Sequence, residues 1–330
     1  MDNSYLKNIL KEYEQKRLNA DRDLALRKQT LYSKNPRLKQ IDDELDNYAI
    51  NTAKLILSSN QNSINSFFEK KEKLDNEKKS ILKSMGKTET ELYPIYECEL
   101  CKDTGYIDTP SGTVMCNCLK QQLFNMEYNK ANIGNFKKEN FDNFNINLYS
   151  NEVNKKDYKS DISPRENMLN IKKTAENFID NFDSPEEKNL LFRGYSGLGK
   201  TFLSNCIANE LLKKNKTVLY QTAPVMFDEI IKYRFKDPNA NQNILKNILN
   251  ADLLIIDDLG TENINGMQFT ELFNIINTRL LNQDNKITKT IISTNYTLQQ
   301  IHDVYEHRIS SRIVGYYTVC KFFGDDIRLK

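Results

Sequence analysis

Tryptophan is absent from this chain of 330 residues, and glycine, proline and histidine are scarce, with 11, 7 and 2 residues respectively. Two histidines are too few for a histidine metal site or a catalytic triad, so His302 and His307 are expected at the surface or in packing. No apolar run approaches the roughly 20 residues that span a bilayer, and the N-terminus lacks a signal-peptide pattern. These absences predict a cytoplasmic protein without a membrane partner.

The charge of the chain is nearly balanced, because 47 Lys and Arg residues oppose 45 Asp and Glu residues, for a net charge of +2. Any binding to nucleic acid would therefore have to come from a local basic patch. The length predicts two or three domains, and 39% hydrophobic residues are enough for a packed core.

Residues 1–90 have almost no Gly or Pro, and their apolar residues recur at spacings of three and four, which predicts helices. Pro36 should end the first helix, and the polar residues around 58–63 should end a later one. One interpretation is a helical hairpin or short coiled coil that docks a partner protein, because its apolar stripes need burial. A solvated spacer is the alternative.

The composition changes three times along the chain. We expect a helical partner-binding module over 1–90, a zinc-binding segment over 91–125, a linker over 126–160 and a domain of α/β class over 161–330. In the last segment five apolar runs alternate with helical stretches, and this alternation predicts a parallel sheet covered by helices.

The sequence GYSGLGKT fits the pattern G-x-x-x-x-G-K-[ST] and lies between a predicted strand and a predicted helix. Its glycines let backbone N–H groups point at phosphate oxygens, Lys200 would reach the β- and γ-phosphates, and the Thr201 hydroxyl would bind Mg²⁺. The chain should therefore bind a nucleoside triphosphate. The predicted nucleotide-binding residues are Gly194, Tyr195, Ser196, Gly197, Leu198, Gly199, Lys200, Thr201 and Phe202.

Two further strands carry polar residues at their carboxyl ends. Asp257 and Asp258 follow the apolar run LLII, where Asp257 would hold Mg²⁺ through water and Asp258 would orient or deprotonate the attacking water. Capping of the loop is the alternative role for this pair. Asn295 ends the strand TIISTN, and its neutral amide could hold the same water.

The series GYSGLGKT, LLIIDDLGTE, LFNIINTRL, TIISTN, RISSRI and FFGDDIR resembles the AAA+ ATPases of the DnaC/DnaI type, the bacterial helicase loaders, and is related to IstB. The resemblance covers roughly residues 140–330. The segment around the cysteines is similar to the region that precedes the ATPase in loaders of Gram-positive type. Residues 1–90 match only in being helical. The resemblance implies an AAA+ P-loop domain, ATP and Mg²⁺ as cofactors, and ATP hydrolysis.

It also implies roles for three arginines. Arg312 falls at the position of an arginine finger that reaches the γ-phosphate bound by a neighbouring subunit, and Arg308 lies one turn earlier on the same face. A solvated helix face is the alternative for both. Arg328 resembles the second sensor arginine, which acts in cis, and the chain ends two residues later, so no lid domain is expected. Asp258 stands where most AAA+ proteins have Glu, which implies slow turnover.

Cysteines occur in two close pairs. The spacing of a C-x-x-C pair and a C-x-C pair fourteen residues later is typical of a structural zinc site with four thiolates, and free thiols are the alternative. The predicted zinc ligands are Cys98, Cys101, Cys116 and Cys118. Cys206 and Cys320 lie in apolar runs and are expected in the core.

The stretch IIKYRFKD interleaves cations with aromatic residues, a pattern that could bind single-stranded DNA without sequence preference. A charged helix end with two packed aromatic rings explains it equally well. The candidate nucleic-acid residues are Lys232, Tyr233, Arg234 and Lys236.

These features predict an ATP-dependent helicase loader. Its N-terminal module would bind the replicative helicase hexamer, its ATPase domains would assemble with one another, and the complex would act on single-stranded DNA. An IstB-like transposition helper shares the ATPase core and is the main alternative, although such helpers are usually little more than that core. A non-catalytic adaptor that binds nucleotide without hydrolysing it is the third possibility.

Overall fold

The computed structural model of the chain describes residues 3–57, 61–127, 138–236, 238–262, 266–281 and 286–329. The chain divides into two compact units, one of residues 7–114 and one of residues 115–330 together with residues 1–6. Within the described ranges, no helix combines the length and the apolar character that crossing a bilayer requires.

The N-terminal unit is helical, as the sequence predicts. Helix α1 spans Asn3–Lys34, α2 spans Pro36–Leu57 and α3 spans Gln61–Ser84. The predicted break at Pro36 is confirmed, because α2 begins at this proline, where the missing N–H costs no hydrogen bond. The side chains at 49–68, which include part of the predicted apolar stripes, lie outside the described residues.

A small apolar core joins the helices of this unit. Leu31, Leu38, Leu82 and Leu92 are buried against one another, so residues from α1, α2, α3 and the 3₁₀ turn at Glu89–Leu92 share one cluster. Arg37 adds a polar link between α2 and α3, since it donates to Glu77 at 2.7 Å and to Glu44 at 2.9 Å. The unit therefore has a core of its own.

A two-stranded hairpin, β1 (Tyr106–Thr109) and β2 (Gly112–Met115), precedes helix α4 (Asn117–Glu127). Helix α4 packs against the edge of the main sheet. The side-chain amide of Gln121 donates to the carbonyl of Val218 at 3.0 Å and accepts from the Val218 N–H at 2.7 Å. Gln121 thus satisfies backbone groups that an edge strand would otherwise leave unpaired.

Residues 138–160, which the sequence suggested as a linker, pack onto the large unit. They form 3₁₀ turns at Phe141–Asn143 and Ile146–Leu148 and a short helix, α5, at Lys155–Tyr158. Tyr149 is buried, and Phe144 and Leu148 lie against the same core. The aromatic residues of this stretch belong to the domain because they cover one face of its sheet.

The large unit contains a five-stranded parallel sheet with the strand order β4–β5–β6–β3–β7. Its strands are β3 (Asn189–Arg193), β4 (Val218–Thr222), β5 (Leu253–Leu259), β6 (Lys289–Thr294) and β7 (Tyr317–Lys321). Its helices are α6 (Pro164–Asp180), α7 (Lys200–Lys213), α8 (Ala223–Lys236), α9 (Pro238–Asn250), α10 (Gly266–Leu281) and α11 (Leu298–Tyr316). The five predicted strands and the α/β class are confirmed.

Both faces of the sheet are covered, which explains why its strands are continuous apolar runs. Leu190 and Phe192 face one apolar cluster together with residues of α6 and α7, whereas Leu191 faces the other with residues of α8 to α11. Strand β3 has β6 and β7 as neighbours, whereas the next strand in the chain, β4, lies at the far edge. The order of the strands along the sheet thus changes direction at β3. Such a change opens a crevice at the carboxyl ends of the strands, and ligands bind there in folds of this kind.

Candidate functional site: a phosphate-binding loop and its surroundings

The loop between β3 and α7, residues 194–199, has the backbone that a phosphate cradle needs. Gly197 and Gly199 have φ angles of 77° and 88°, a region that favours glycine. A Cβ atom at Gly199 would lie 2.5 Å from the hydroxyl of Tyr149, so a side chain there would also clash. The loop leads into the N-terminus of α7, which begins at Lys200. The strand–loop–helix arrangement predicted for this motif is therefore present.

Lys200 points its ammonium into this loop. Its Nζ atom donates to the carbonyl oxygens of Gly194 at 2.6 Å and Tyr195 at 2.8 Å, and to Oδ1 of Asn295 at 2.9 Å. Burial lowers the pKa of Lys200, and the charges of Asp258 and Asp257 oppose that shift. The amide predicted at the end of β6 thus meets the lysine predicted in the loop.

Asp257 is buried at the carboxyl end of β5 and accepts three hydroxyl groups. Thr201 Oγ1 donates to it at 2.9 Å, and Tyr220 and Ser293 also donate to this carboxylate. Tyr220 and Ser293 lie on the strands that flank β5 on either side. A carboxylate and a hydroxyl are oxygen ligands of the kind that Mg²⁺ prefers, so the pair predicted for Mg²⁺ fits the metal.

Asp258 is the next residue in the chain, but its side chain points in a different direction from that of Asp257. Its φ angle is 55°, which is uncommon outside glycine, and the pairing of β5 with β6 is irregular between Ile256 and Leu259. The backbone N–H of Asp258 donates to Ser293 Oγ at 2.9 Å. Burial raises the pKa of the Asp258 carboxyl, the Asp257 charge raises it further, and Lys200 opposes both. The strained backbone turns Asp258 toward the phosphate loop while Asp257 stays buried.

A cavity of about 330 Å³ joins these groups. Its lining includes Lys200, Thr201, Asp258, Arg328 and the acid Glu139, together with loop residues 196–199. Glu139 also accepts from the side-chain amide of Asn205, on the first helix after the loop. The structure thus gathers the predicted loop, the second aspartate and the predicted sensor arginine around one space.

The C-terminal residues lie across the phosphate loop. The N–H of Ile327 donates to the carbonyl of Gly197 at 2.9 Å, and Arg328 donates to Ser196 Oγ at 3.2 Å and to Asp326 at 2.7 Å. The Arg328 hydrogen bonds lower the pKa of Asp326 to about 2. Arg328 therefore reaches the loop of its own chain, as a sensor in cis would.

The other two predicted arginines lie on α11, away from this cavity. Arg308 is exposed, and Arg312 is partly buried with its Nε donating to Asn277 Oδ1 on α10 at 3.2 Å. Neither lines the phosphate cavity of its own chain. Their role as fingers in trans stays a prediction.

The predicted nucleic-acid stretch ends helix α8. Lys232 is exposed, whereas Arg234 forms an ion pair with the buried Glu271 at 2.6 Å. The side chains of Tyr233 and Lys236 lie outside the described residues. Thus Arg234 is paired, whereas Lys232 forms no ion pair with a carboxylate of the described residues.

The four cysteines predicted to hold zinc come together. The sulfur atoms of Cys98, Cys101, Cys116 and Cys118 all lie within 4.8 Å of one another. The N–H of Gly105 donates to the Cys101 sulfur at 3.4 Å, and the buried Asp103 accepts from the N–H of Cys98 at 2.9 Å. Four thiolates around a tetrahedral ion would be roughly 3.8 Å apart for Zn–S bonds of 2.3 Å. The cluster fits zinc.

Sequence reasoning missed several residues that shape the site. Tyr149 contacts the loop through its hydroxyl, which donates to the carbonyl of Leu198 at 3.2 Å, but its segment had the composition of a linker. Ser293 and Tyr220 occur inside apolar strands, where the polar residue itself was the available signal. Asp326 lies within the quoted motif FFGDDIR, two residues before Arg328, and carried no separate expectation.

The sequence profile of the family described as IstB-like ATP binding protein matches residues 153–329, more than half of the chain. The chain belongs to this family. Membership of the IstB-like family establishes an ATP-binding protein and confirms the AAA+ relationship inferred from the motifs. The matched range holds the phosphate loop, both aspartates and the three arginines with predicted roles.

Among named relatives, the chain is 32% identical over 99 residues to the replicative helicase loader DnaC of Escherichia coli strain K12, covering 29% of this chain and 39% of the relative. It is 26% identical over 150 residues to an insertion sequence IS232 putative ATP-binding protein of Bacillus thuringiensis, covering 44% and 57%. The chain thus spans less than two thirds of the length of these two relatives.

Solved structures with similar folds include a DnaC helicase loader, at 24% identity and a TM-score of 0.43, covering 57% of this chain and 99% of that one. Another is AMPPCP-bound DnaA from Aquifex aeolicus, at 21% identity and a TM-score of 0.44, covering 58% and 52%.

Proposed function

We propose that this IstB-like protein is an ATP-controlled loader of a replicative DNA helicase. The proposal rests on one observation above all: the ATP-binding unit is preceded in the chain by a helical unit with its own core and by a four-cysteine cluster. Transposition helpers of the IstB kind are usually little more than the ATPase core, so these additional parts favour a loader. The similarity to helicase loaders named DnaC supports the same conclusion.

The helical unit would hold the helicase. Leu18 and Leu26 on α1 are 57% and 52% exposed. Leu26 also lines a groove of about 590 Å³, together with Leu31 and Met85. Arg27, Lys34, Lys87 and Glu91 also line the groove. An exposed leucine in a groove with a charged rim is the kind of surface that a partner helix covers.

Substitution of Leu26 tests this role in the full-length chain. Leu26→Asp should weaken helicase binding about tenfold or more, because burial of one leucine contributes about 1.5–3 kcal/mol. Leu169→Asp is the matched control, since Leu169 is 49% exposed on α6 of the other unit. Helicase affinity is measured by surface plasmon resonance. Equal affinity for both variants and the wild type would contradict the proposed docking surface.

ATP would control the complex through hydrolysis. Lys200 and the loop N–H groups would hold the phosphates, while Thr201 and Asp257 would hold Mg²⁺, whose charge offsets that of the phosphates. Asp258 and Asn295 would position water at the γ-phosphate. Lys200→Ala should lose most of its ATP affinity, measured with a fluorescent ATP analogue, and unchanged affinity would contradict the assignment of the loop.

Single-stranded DNA would pass along the end of α8. The exposed Lys232 can reach a phosphate directly, whereas Arg234 must first leave Glu271. A triple change of Lys232, Arg234 and Lys236 to Ala should weaken oligonucleotide binding and lower its salt dependence. If the triple variant binds a labelled oligo-dT as wild type does at several salt concentrations, the stretch is a structural helix end.

A transposition helper is the second candidate, favoured by the family match and by the similarity to the insertion-sequence protein. The two functions differ in the partner. Co-purification of the full-length chain with a replicative helicase supports a loader, whereas binding to a transposase and not to the helicase supports the helper.

A further inference from the structure

A second cavity, of about 800 Å³, lies beside the phosphate loop in the large unit. Its lining includes Gly194, Tyr195 and Asn295, the three residues whose oxygens accept the Lys200 ammonium. From there the cavity extends toward the ends of β3 and β7. It therefore borders the place where the outermost phosphate of a bound nucleotide would lie, but it is lined by different side chains from those of the nucleotide cavity.

Three cations line this second cavity: Lys159, Arg193 and Lys321. Asp157, which is exposed and accepts from Asn154, is the one acidic residue among the described lining residues. The balance of formal charge in the lining is thus positive by two.

Arg193 has an unusual environment for an arginine. It is partly buried as the last residue of β3, and its Nε atom is buried without a hydrogen-bond partner. Among the described residues, no carboxylate forms an ion pair with its guanidinium. Burial lowers the pKa of Arg193. A buried donor of a charged group costs free energy unless an acceptor satisfies it, so the site favours an anion.

Lys321 adds a second positive charge beside that of Arg193. It is the residue of β7 paired in register with Arg193, so the two cations leave the same face of neighbouring strands that lie about 4.8 Å apart. Its Nζ donates to the carbonyl of Tyr158 at 2.7 Å and lies 5.3 Å from the ring centre of Phe323, and neither contact supplies a negative charge. Burial lowers the pKa of Lys321, and Arg193 and Lys159 lower it further.

We propose that Arg193 and Lys321, assisted by Lys159, form a binding site for a phosphate group beside the nucleotide site. Two adjacent cations and a buried unsatisfied donor match the several oxygens of a phosphate. The position next to the Lys200 acceptors gives two sources for such a group. One is inorganic phosphate that leaves the γ-position, which rests on the proposed ATP hydrolysis, and the other is a phosphodiester of bound nucleic acid.

The test loads the full-length protein with Mg²⁺ and AMPPCP, so that the nucleotide cavity is occupied before phosphate is added. Calorimetric titration then measures inorganic phosphate in one arm and an oligo-dT in the other. Arg193→Met and Lys321→Met should each weaken binding about tenfold or more in at least one arm, since each removes a charge-assisted hydrogen bond. The control is Lys216→Met, a cation of similar exposure that is paired with Asp183.

A second readout separates a ligand site from a structural role. Without phosphate, both variants should have a melting temperature equal to or above that of wild type, because the substitution relieves repulsion between two cations. In the phosphate arm, weaker binding identifies the leaving phosphate as the source, and in the oligo-dT arm it identifies nucleic acid.

Two outcomes would overturn the proposal. One is equal affinity of wild type and both variants in both arms, and the other is a fall of binding in Lys216→Met as large as in the two cavity variants. The AMPPCP loading step is measured separately in every variant. A failure of the proposed nucleotide site is thereby distinguished from a failure of this second site.

Discussion

The guanidinium of Arg328 lies 2.7 Å from the carboxylate of Asp326 and 3.2 Å from the hydroxyl of Ser196 in the phosphate loop. A cation and an anion of the same motif thus both reach the site of a bound triphosphate. A Cβ atom on Gly197 would clash with the Asp326 carboxyl, which shows how closely this acid approaches the loop. The negative charge of Asp326 opposes phosphate binding, whereas Arg328 favours it.

Removal of the Asp326 charge should therefore strengthen nucleotide binding. Asp326→Asn is expected to bind ATP several-fold more tightly than wild type, and Arg328→Ala more weakly, in titrations with a fluorescent ATP analogue. Asp325→Asn is the matched control, because this neighbouring acid accepts a hydrogen bond from Tyr158. Weaker binding by Asp326→Asn would show that the acid acts by holding Arg328 in place.

Substitution of Asp258 should separate binding from hydrolysis. Asp258→Asn keeps the shape of the side chain, so ATP affinity should stay within a few-fold of wild type, while hydrolysis should fall by about 10²–10⁴ if Asp258 acts as a general base. Asp258→Glu should hydrolyse ATP faster than wild type, since the longer side chain reaches further toward the γ-phosphate. Phosphate release measured under single-turnover conditions checks both. A rate of Asp258→Asn equal to that of wild type would return this residue to a role in capping the loop.

Metal analysis tests the cysteine cluster. We expect one zinc ion per chain, with loss of zinc and a lower melting temperature in Cys98→Ser, because the ion would stabilise a segment with little core of its own. Cys320→Ser is the control, since Cys320 is buried in the sheet and lies outside the cluster. Protein purified without zinc, or Cys98→Ser with a full complement of zinc, would contradict the prediction.

A mixing experiment tests whether Arg312 acts on a neighbouring subunit. Arg312→Ala should bind ATP as wild type does but hydrolyse it more slowly in the assembled or helicase-bound state, because an arginine finger contributes about 10³–10⁵ in rate in well-studied systems. Mixed assemblies with Lys200→Ala should regain part of the activity, since one chain offers the intact arginine and the other the intact loop. Arg308→Ala should behave in the same way with a smaller effect.

Asn277→Ala is the control for this experiment, because Arg312 donates to Asn277 within the same chain. If Arg312 serves only to join α10 to α11, Asn277→Ala should lower activity and melting temperature as Arg312→Ala does. In that case mixing with Lys200→Ala should restore nothing.

Local patterns in the sequence determined the classes of structure and the chemistry of the nucleotide loop. The run at 189–193 is apolar on both faces, which predicts a buried parallel strand. The glycines that follow it permit the positive φ angles of the loop. Pro36 likewise determined a helix boundary, because its ring restricts the backbone of the residue before it. Each of these features depends on neighbours in the chain.

Contacts between distant segments were decided by the tertiary structure. Arg193 and Lys321 are 128 positions apart in the sequence, and only the strand order places them side by side. Tyr149 contacts the phosphate loop because the sheet needs an apolar cover there, although its segment has the composition of a linker. The register of strands and the burial of whole faces depend on the entire core, so no local pattern of residues contains them.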